Sequence, residues 1–320
     1  MIRSVPKWVW TAGQVAIAAT LLALLWQAAD GPEAARSLAS AEWTWLATAV
    51  ALLTVQTVLS ALRWQVTARQ LGISFGPAHA IREYYLAQVV NQSLPGGMVG
   101  DAARAYRGRE QAGFLASGQA VVIERLVGQI AMFLTLAIAF AATYAVPGGL
   151  DWPQWLSIPV MISVLAGLTV PLVLWTAVNV KGAVGRLASR IWSPLDRALA
   201  NRRVLPVQVG LSIGTTFCNL AAFAACAKGV GVELPLPAVA ALVPLILFTM
   251  LIPISVSGWG LREGAAAALF PLAGASASGG LASSVAFGLS FIVAVLPGLV
   301  FLQLKPRAEK VNMQHPYKSR

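Results

Sequence analysis

Leu94-Pro95-Gly96-Gly97-Met98-Val99-Gly100-Asp101-Ala102-Ala103-Arg104 is the stretch that decides how this chain folds. The residues before it, 80–94, carry a helical pattern, and helix is expected again from Asp101. Between them a proline without an amide donor and a run of glycines work against a continuous helix. The surroundings give the break its meaning. Of 320 residues, 58% are hydrophobic and 11% charged, and the mean hydropathy is +0.71. Soluble domains carry about 25% charged residues. The composition excludes a soluble globular domain, a disordered chain and a nucleic-acid-binding module, and leaves a polytopic membrane protein. In lipid, backbone that is neither helix nor closed barrel survives only when buried in protein or lining a wet cavity. A break at 95–100 is therefore expected to mark a functional cavity, with a plain cytoplasmic loop as the competing reading.

Working outward, the uncharged runs 8–29, 43–62, 126–150, 152–180 and 204–227 are each long enough to cross a bilayer, which takes about 20 residues. A sixth span is expected over 281–304. The segment 236–271 is apolar but interrupted by Pro244, Pro253, Gly258 and Gly260, and reads as two short helices around a second break. The fold class expected is all-α, with six spanning helices and two re-entrant hairpins, at 80–115 and 236–271.

The 23 basic against 12 acidic residues give a net charge of +11, which orients the spans through the excess of Lys and Arg on cytoplasmic loops. With both termini inside, only Arg36, Lys228, Arg262 and the in-span Arg125 fall elsewhere than the cytoplasmic side. The segment 181–203, basic and partly amphipathic, is expected on the inner leaflet surface. Cys218 and Cys226 lie about 12 Å apart on one helix, too far to pair. With His79 and His315 they offer no zinc spacing, so no cofactor or metal is expected.

The two breaks share a spacing. Pro95, Gly100 and Arg104 recur 158 residues later as Pro253, Gly258 and Arg262. The same offset carries the second span onto the fifth and the third onto the sixth. The chain then divides into a first repeat over 1–150, a second over 151–305 and a basic cytoplasmic tail over 306–320. An odd number of crossings in each half makes the repeat inverted, as in many transporters. Arg104 and Arg262 are expected near the N-termini of the second half-helices, where free N–H groups favour anions.

Ionisable residues at membrane depth are functional candidates because each costs at least about 2.5–3.5 kcal/mol there. The candidates for contact with substrate are Asn91, Ser93, Asp101, Arg104, Tyr106, Glu124, Arg125, Ser255, Arg262 and Glu263. An internal salt-bridge network that only locks the hairpins is the competing reading. Arg63-Trp64, at the inner end of the second span, reads as an interfacial anchor.

Three segments then match a known pattern. They are Asn91-Gln92-Ser93-Leu94-Pro95 continuing through Gly100-Asp101 to Arg104, Glu124-Arg125-Leu126-Val127-Gly128, and Pro253-Ile254-Ser255 continuing through Gly258-Trp259-Gly260-Leu261-Arg262-Glu263-Gly264. Together they resemble the lysylphosphatidylglycerol synthase transmembrane family of flippase-like proteins, with Val99 standing where that pattern has glycine. The resemblance covers about 45–305 and implies lipid translocation at the plasma (inner) membrane. The multiple peptide resistance factor joins such a region to a soluble aminoacyl-transferase domain. This chain has no polar segment to hold one, so a transporter rather than an enzyme is expected. Relatives tied to glycolipid and isoprenoid-linked sugar pathways leave the lipid open. The expected partners are a polar lipid headgroup with an anionic phosphate, membrane lipids and a lipid-modifying synthase, but no nucleic acid. Two alternatives stand beside a flippase: a non-transporting partner of a lipid- or glycolipid-synthesising enzyme, and an integral membrane lipid-linked transferase using Asp101 or Glu124 as base.

Overall fold

The computed structural model describes residues 15–303 except 17, 18, 21, 25, 94–97, 146–149, 200 and 253–256. The centres of both expected breaks, with Pro95, Pro253 and Ser255, therefore lie outside the described residues, as do much of the first expected span and the basic tail.

Among the described residues the regular structure is helical throughout, as a chain with so few polar side chains requires in lipid, where each backbone group must find its partner within the protein. After helical residues between 15 and 28 come α1 (Gly31–Ala39), α2 (Trp43–Gln70), α3 (Pro77–Ser93), α4 (Val99–Arg107) and α5 (Arg109–Ala145). Then follow α6 (Gln154–Ala177), α7 (Ala183–Leu199), α8 (Leu205–Gly229), α9 (Leu236–Phe248), α10 (Leu261–Leu269), α11 (Ala277–Val295) and α12 (Pro297–Gln303). Four stretches, Trp43–Gln70, Gly113–Ala145, Leu205–Gly229 and Ala277–Phe301, are long and apolar enough to cross a membrane, and Gln154–Gly167 and Leu236–Leu251 are shorter apolar helices. The protein is an all-α membrane protein.

The uncharged run read as the second span ends at residue 62, but α2 carries on past Arg63 to Gln70. α5 begins well before the uncharged run 126–150 and holds Glu124-Arg125 within its length, in keeping with the placing of these two charges at membrane depth. Arg63 and Glu124 are inside the protein, 5% and 1% exposed.

The order long helix, shorter helix, break, short helix, long helix occurs twice, as α2-α3-α4-α5 and as α8-α9-α10-α11. The two leading helices also end alike. Gly72, at φ 83°, lets the Ile73 N–H reach back to the Ala68 carbonyl at 3.0 Å, and Gly231, at φ 84°, lets Val232 reach Ala227 at 2.9 Å. Each is a glycine cap that turns the chain out of the helix.

α2 and α8 lie along one another at the centre. Both helices bury small residues, Ala49, Thr57 and Ala61 on α2, and Ala222, Ala225 and Cys226 on α8. Lipid is as apolar as leucine, so such helices associate through close packing and interhelical hydrogen bonds. Gln208 supplies one, donating to Thr67 Oγ1 at 2.8 Å. Around the pair, Phe223, Phe270 and Phe287 fill one apolar cluster with Leu53, and Trp64, Phe75 and Tyr84 fill a second.

α4 packs tightly on α3, where a Cβ on Gly100 would stand 2.0 Å from the Ala87 carbonyl oxygen. Only glycine lets the two arms of the first hairpin meet. Gly100→Ala is expected to lower stability by about 1–3 kcal/mol or more through overpacking. Gly210→Ala on α8, where nothing lies within 4 Å of the new carbon, should be neutral or stabilising by up to about 1 kcal/mol. Thermal melts of the two detergent-purified variants check the contrast.

Candidate functional site

Four helices carry polar stripes at helical spacing: Gln56, Ser60 and Arg63 on α2, Tyr84, Gln88, Asn91 and Gln92 on α3, Arg125 and Gln129 on α5, and Thr215, Thr216 and Asn219 on α8. Residues three, four or seven apart share one helix face. All four faces turn to one cavity of about 210 Å³. The rest of its lining is largely apolar, with Met132, Leu247, Phe248, Met250, Leu251 and Phe291 among it, and Ser257 as the polar exception.

Behind the polar wall runs a chain of charges. Arg63 Nη2 donates to Glu124 Oε1 at 2.7 Å, and Arg104 Nη2 lies 3.4 Å from Glu124 Oε2 and 3.0 Å from Asp101 Oδ1. Arg125 closes the row on Asp101 Oδ2. The order is Arg63, Glu124, Arg104, Asp101, Arg125, three cations for two anions. Glu124 and Arg104 are each 1% exposed. The Arg104 guanidinium also lies 4.5 Å from the ring centroids of Trp64 and Tyr84, a desolvated cation–π sandwich. Asn91 holds Asp101 from the side through its Nδ2 at 3.2 Å and accepts the Gly100 N–H at 2.7 Å. Arg63 crosses to the second half, donating to Thr215 Oγ1 at 2.9 Å. Gly128 makes its room, since a Cβ there would stand 2.6 Å from Arg63 Nη2.

The second hairpin holds a separate cluster. Arg262 donates from Nε and Nη2 to Glu263 Oε1 at 3.0 and 2.5 Å, and to the Ser284 hydroxyl and carbonyl at 2.9 and 3.0 Å. Glu263 Oε2 accepts the Gly260 N–H at 2.7 Å. Both side chains are buried and neither lines the cavity. For this pair the geometry is that of a closed lock.

Several expectations change. Arg104 is not at a helix N-terminus; it sits in the last turn of α4, because the helix already starts at Val99, and its first turn carries Asp101. Arg262 is in the first turn of α10, as expected, but its charge is spent on Glu263. Arg63 and Trp64 are not interfacial anchors: they are 5% and 3% exposed and belong to the charge chain and its aromatic cover. Ser93 faces outward and bonds only its own helix, at the Val89 carbonyl 2.8 Å away. Tyr106 is 55% exposed and lies under the Arg109 guanidinium at 3.5 Å, away from the cavity. Asn91, Asp101, Arg104, Glu124 and Arg125 do come together. Ser255 lies outside the described residues, but its neighbour Ser257, at φ 49° in the left-handed region, donates to Gln92 and so brings the second break onto the first hairpin. Sequence reading missed Tyr84, Gln88, Gln129 and Asn219. Their signal was present in the spacing of Tyr84, Gln88, Asn91 and Gln92, and of Arg125 and Gln129.

Breaking one partner of a buried ion pair costs about 3–5 kcal/mol, while removing both costs far less. Glu263→Gln alone is expected to fall in that range, and the double variant Glu263→Gln with Arg262→Met to lose much less than the sum of the single losses. Reversible unfolding in mixed micelles measures the coupling.

No curated protein matches the chain. The family model for the lysylphosphatidylglycerol synthase transmembrane region matches residues 12–298. Nearly the whole chain is covered, so the protein belongs to this family of integral membrane proteins tied to lipid synthesis and flipping.

Proposed function

We propose that this protein carries a polar, phosphate-bearing lipid between the leaflets of a bacterial-type inner membrane, with its headgroup in the cavity between the two halves. The observation that carries this reading is the unbalanced charge. A buried cation without a partner is expensive, and the row of three arginines and two carboxylates leaves one positive charge over beside a cavity. A phosphate entering there supplies the missing charge. The cavity is also divided as a lipid is, with a polar wall for the headgroup and an apolar wall for the start of the acyl chains. At about 210 Å³ it is smaller than the ~300–1,000 Å³ of sites that enclose a whole small ligand. The tails stay in the bilayer while the headgroup crosses.

This reading relocates the substrate. Arg63 and Arg125 face the headgroup, Arg104 holds the carboxylates that position them, and Arg262 with Glu263 locks the second hairpin. The transferase alternative would draw its base from Asp101 or Glu124, and both carboxylates are consumed by guanidinium groups. Six crossings and an inverted repeat fit the twofold order of elements, with both termini in the cytoplasm.

Two experiments test the proposal. In liposomes carrying headgroup-labelled anionic phospholipid, the reconstituted chain is expected to move label between leaflets, and Arg125→Gln to slow it by about tenfold or more, the weight of one charge-assisted hydrogen bond. Movement unchanged in that variant at equal protein level overturns the assignment. For the topology, single cysteines at Ala78 and Glu233, both exposed after equivalent helices, should label from opposite faces of intact cells with an impermeant maleimide. Labelling from the same face removes the inverted repeat.

A further inference from the structure

The polar wall of the cavity is specific about chemistry. Its amides are Gln56, Gln88, Asn91, Gln92, Gln129 and Asn219. Three of these have work inside the protein: Gln56 donates to Ser60 at 3.2 Å, Asn91 holds Asp101 and Gly100, and Gln92 accepts from Ser257. Gln88, Gln129 and Asn219 have no hydrogen bond to any described residue, although all three are half-buried and come from three different helices, α3, α5 and α8. Among the described residues no carboxylate lines the cavity; Asp101 and Glu124 stand behind Arg125 and Arg63. The cations on the wall are not saturated either, since Nε of Arg63 and Nε of Arg125 are both buried without a partner.

Each of these groups selects a ligand group. Guanidinium recognises phosphate oxygens. A primary amide both donates and accepts, as a hydroxyl does, so three unpaired amides around one space match a cluster of hydroxyls. An ammonium donates only and wants carboxylates, and meeting guanidinium groups instead, it would be repelled. Resting on the carrier reading above, we infer that the site takes a phosphate ester rich in free hydroxyls and without an amine, a glycerol-, inositol- or sugar-phosphate headgroup, and that it rejects aminoacylated headgroups. Gln88, Gln129 and Asn219 read the hydroxyls; Arg63 and Arg125 read the phosphate.

The test is competition for the detergent-purified full-length chain, read by native mass spectrometry. An equimolar mixture holds phosphatidylinositol, phosphatidic acid and lysylphosphatidylglycerol with matched acyl chains. Phosphatidylinositol is expected to be retained about tenfold over phosphatidic acid, which offers the phosphate without the hydroxyls, since each hydrogen bond adds a few-fold. It should exceed the cationic lipid by more. Gln88→Leu, Gln129→Leu and Asn219→Leu together should erase the preference over phosphatidic acid, and the fold should tolerate them because these amides make no hydrogen bond to any described residue. Asn219→Asp, which puts a carboxylate on the wall, should move the preference toward lysylphosphatidylglycerol. Equal retention of phosphatidylinositol and phosphatidic acid by the wild type overturns the inference, as does a triple variant that keeps the preference. Leaflet exchange measured in parallel separates the two readings. Exchange of all headgroups without preference sinks the hydroxyl assignment and leaves the carrier. Preference without exchange sinks the carrier and leaves the site. If free inositol phosphate displaces the lipid at the same concentration, the ligand is a soluble phosphate ester, which upholds the chemistry assigned to the wall and overturns its lipid source.

Discussion

Glu124 is the group on which the rest of the first half hangs. It sits at membrane depth, 1% exposed, where an unpaired carboxylate could not stay charged. Arg63 and Arg104 meet it from α2 and α4, and Tyr84 of α3 lies 3.4 Å from Oε1. One side chain on α5 thus gathers three other helices. The row continues through Asp101 to Arg125, so that charge alternates from one end to the other. Such a row is costly to desolvate and is poor evidence of stability for its own sake. Its ends are what matter: both are cations, and both reach the cavity.

The two halves share an order of elements but not a chemistry. Arg104 and Arg262 are equivalent in spacing, yet one shares two carboxylates with two other arginines and the other forms a satisfied pair with its neighbour. At the position matching Glu124 the second half has Ala282. Without that carboxylate there is nothing to gather a second row, and Glu263 beside Arg262 neutralises the charge locally. The same order of elements therefore carries an extended charge row in the first half and a closed pair in the second.

Much of this was legible in the residues themselves. Glycine and proline marked where α3 gives way to α4 and α9 to α10, and the cost of charge at membrane depth singled out Asp101, Arg104, Glu124 and Arg125, which the fold brings together. Arg63 was misread for a physical reason. A lone cation ending an uncharged run looks the same whether it reaches the headgroups or turns inward, and its partner Glu124 is 61 residues away. Trp64 was misread with it, because an aromatic at a span end suits both an interface and a cation–π cover. The free amides were passed over since neutral polar residues on apolar helices usually satisfy one another. Only their convergence from three helices shows that they do not.

The distribution of bonds between the halves bears on how they are held together. The ion pairs of the charge row and its neighbours lie between Arg63 and Arg125 in sequence, within the first half, and that of the second half joins Arg262 to Glu263. Across the halves the polar contacts are single hydrogen bonds, as between Arg63 and Thr215, Gln208 and Thr67, and Ser257 and Gln92. A neutral hydrogen bond contributes about 1 kcal/mol net and one from a charged donor such as Arg63 about 1.5–3, whereas breaking a buried ion pair costs about 3–5 kcal/mol. These polar ties add to the apolar packing of α2 and Leu53 against α8 and its phenylalanine cluster, which joins the halves along the centre. Two of them, Arg63 to Thr215 and Ser257 to Gln92, line the cavity, whereas Gln208 and Thr67 lie away from it. Ion pairs thus set the internal shape of each half, while apolar contact and a few hydrogen bonds set how the halves meet.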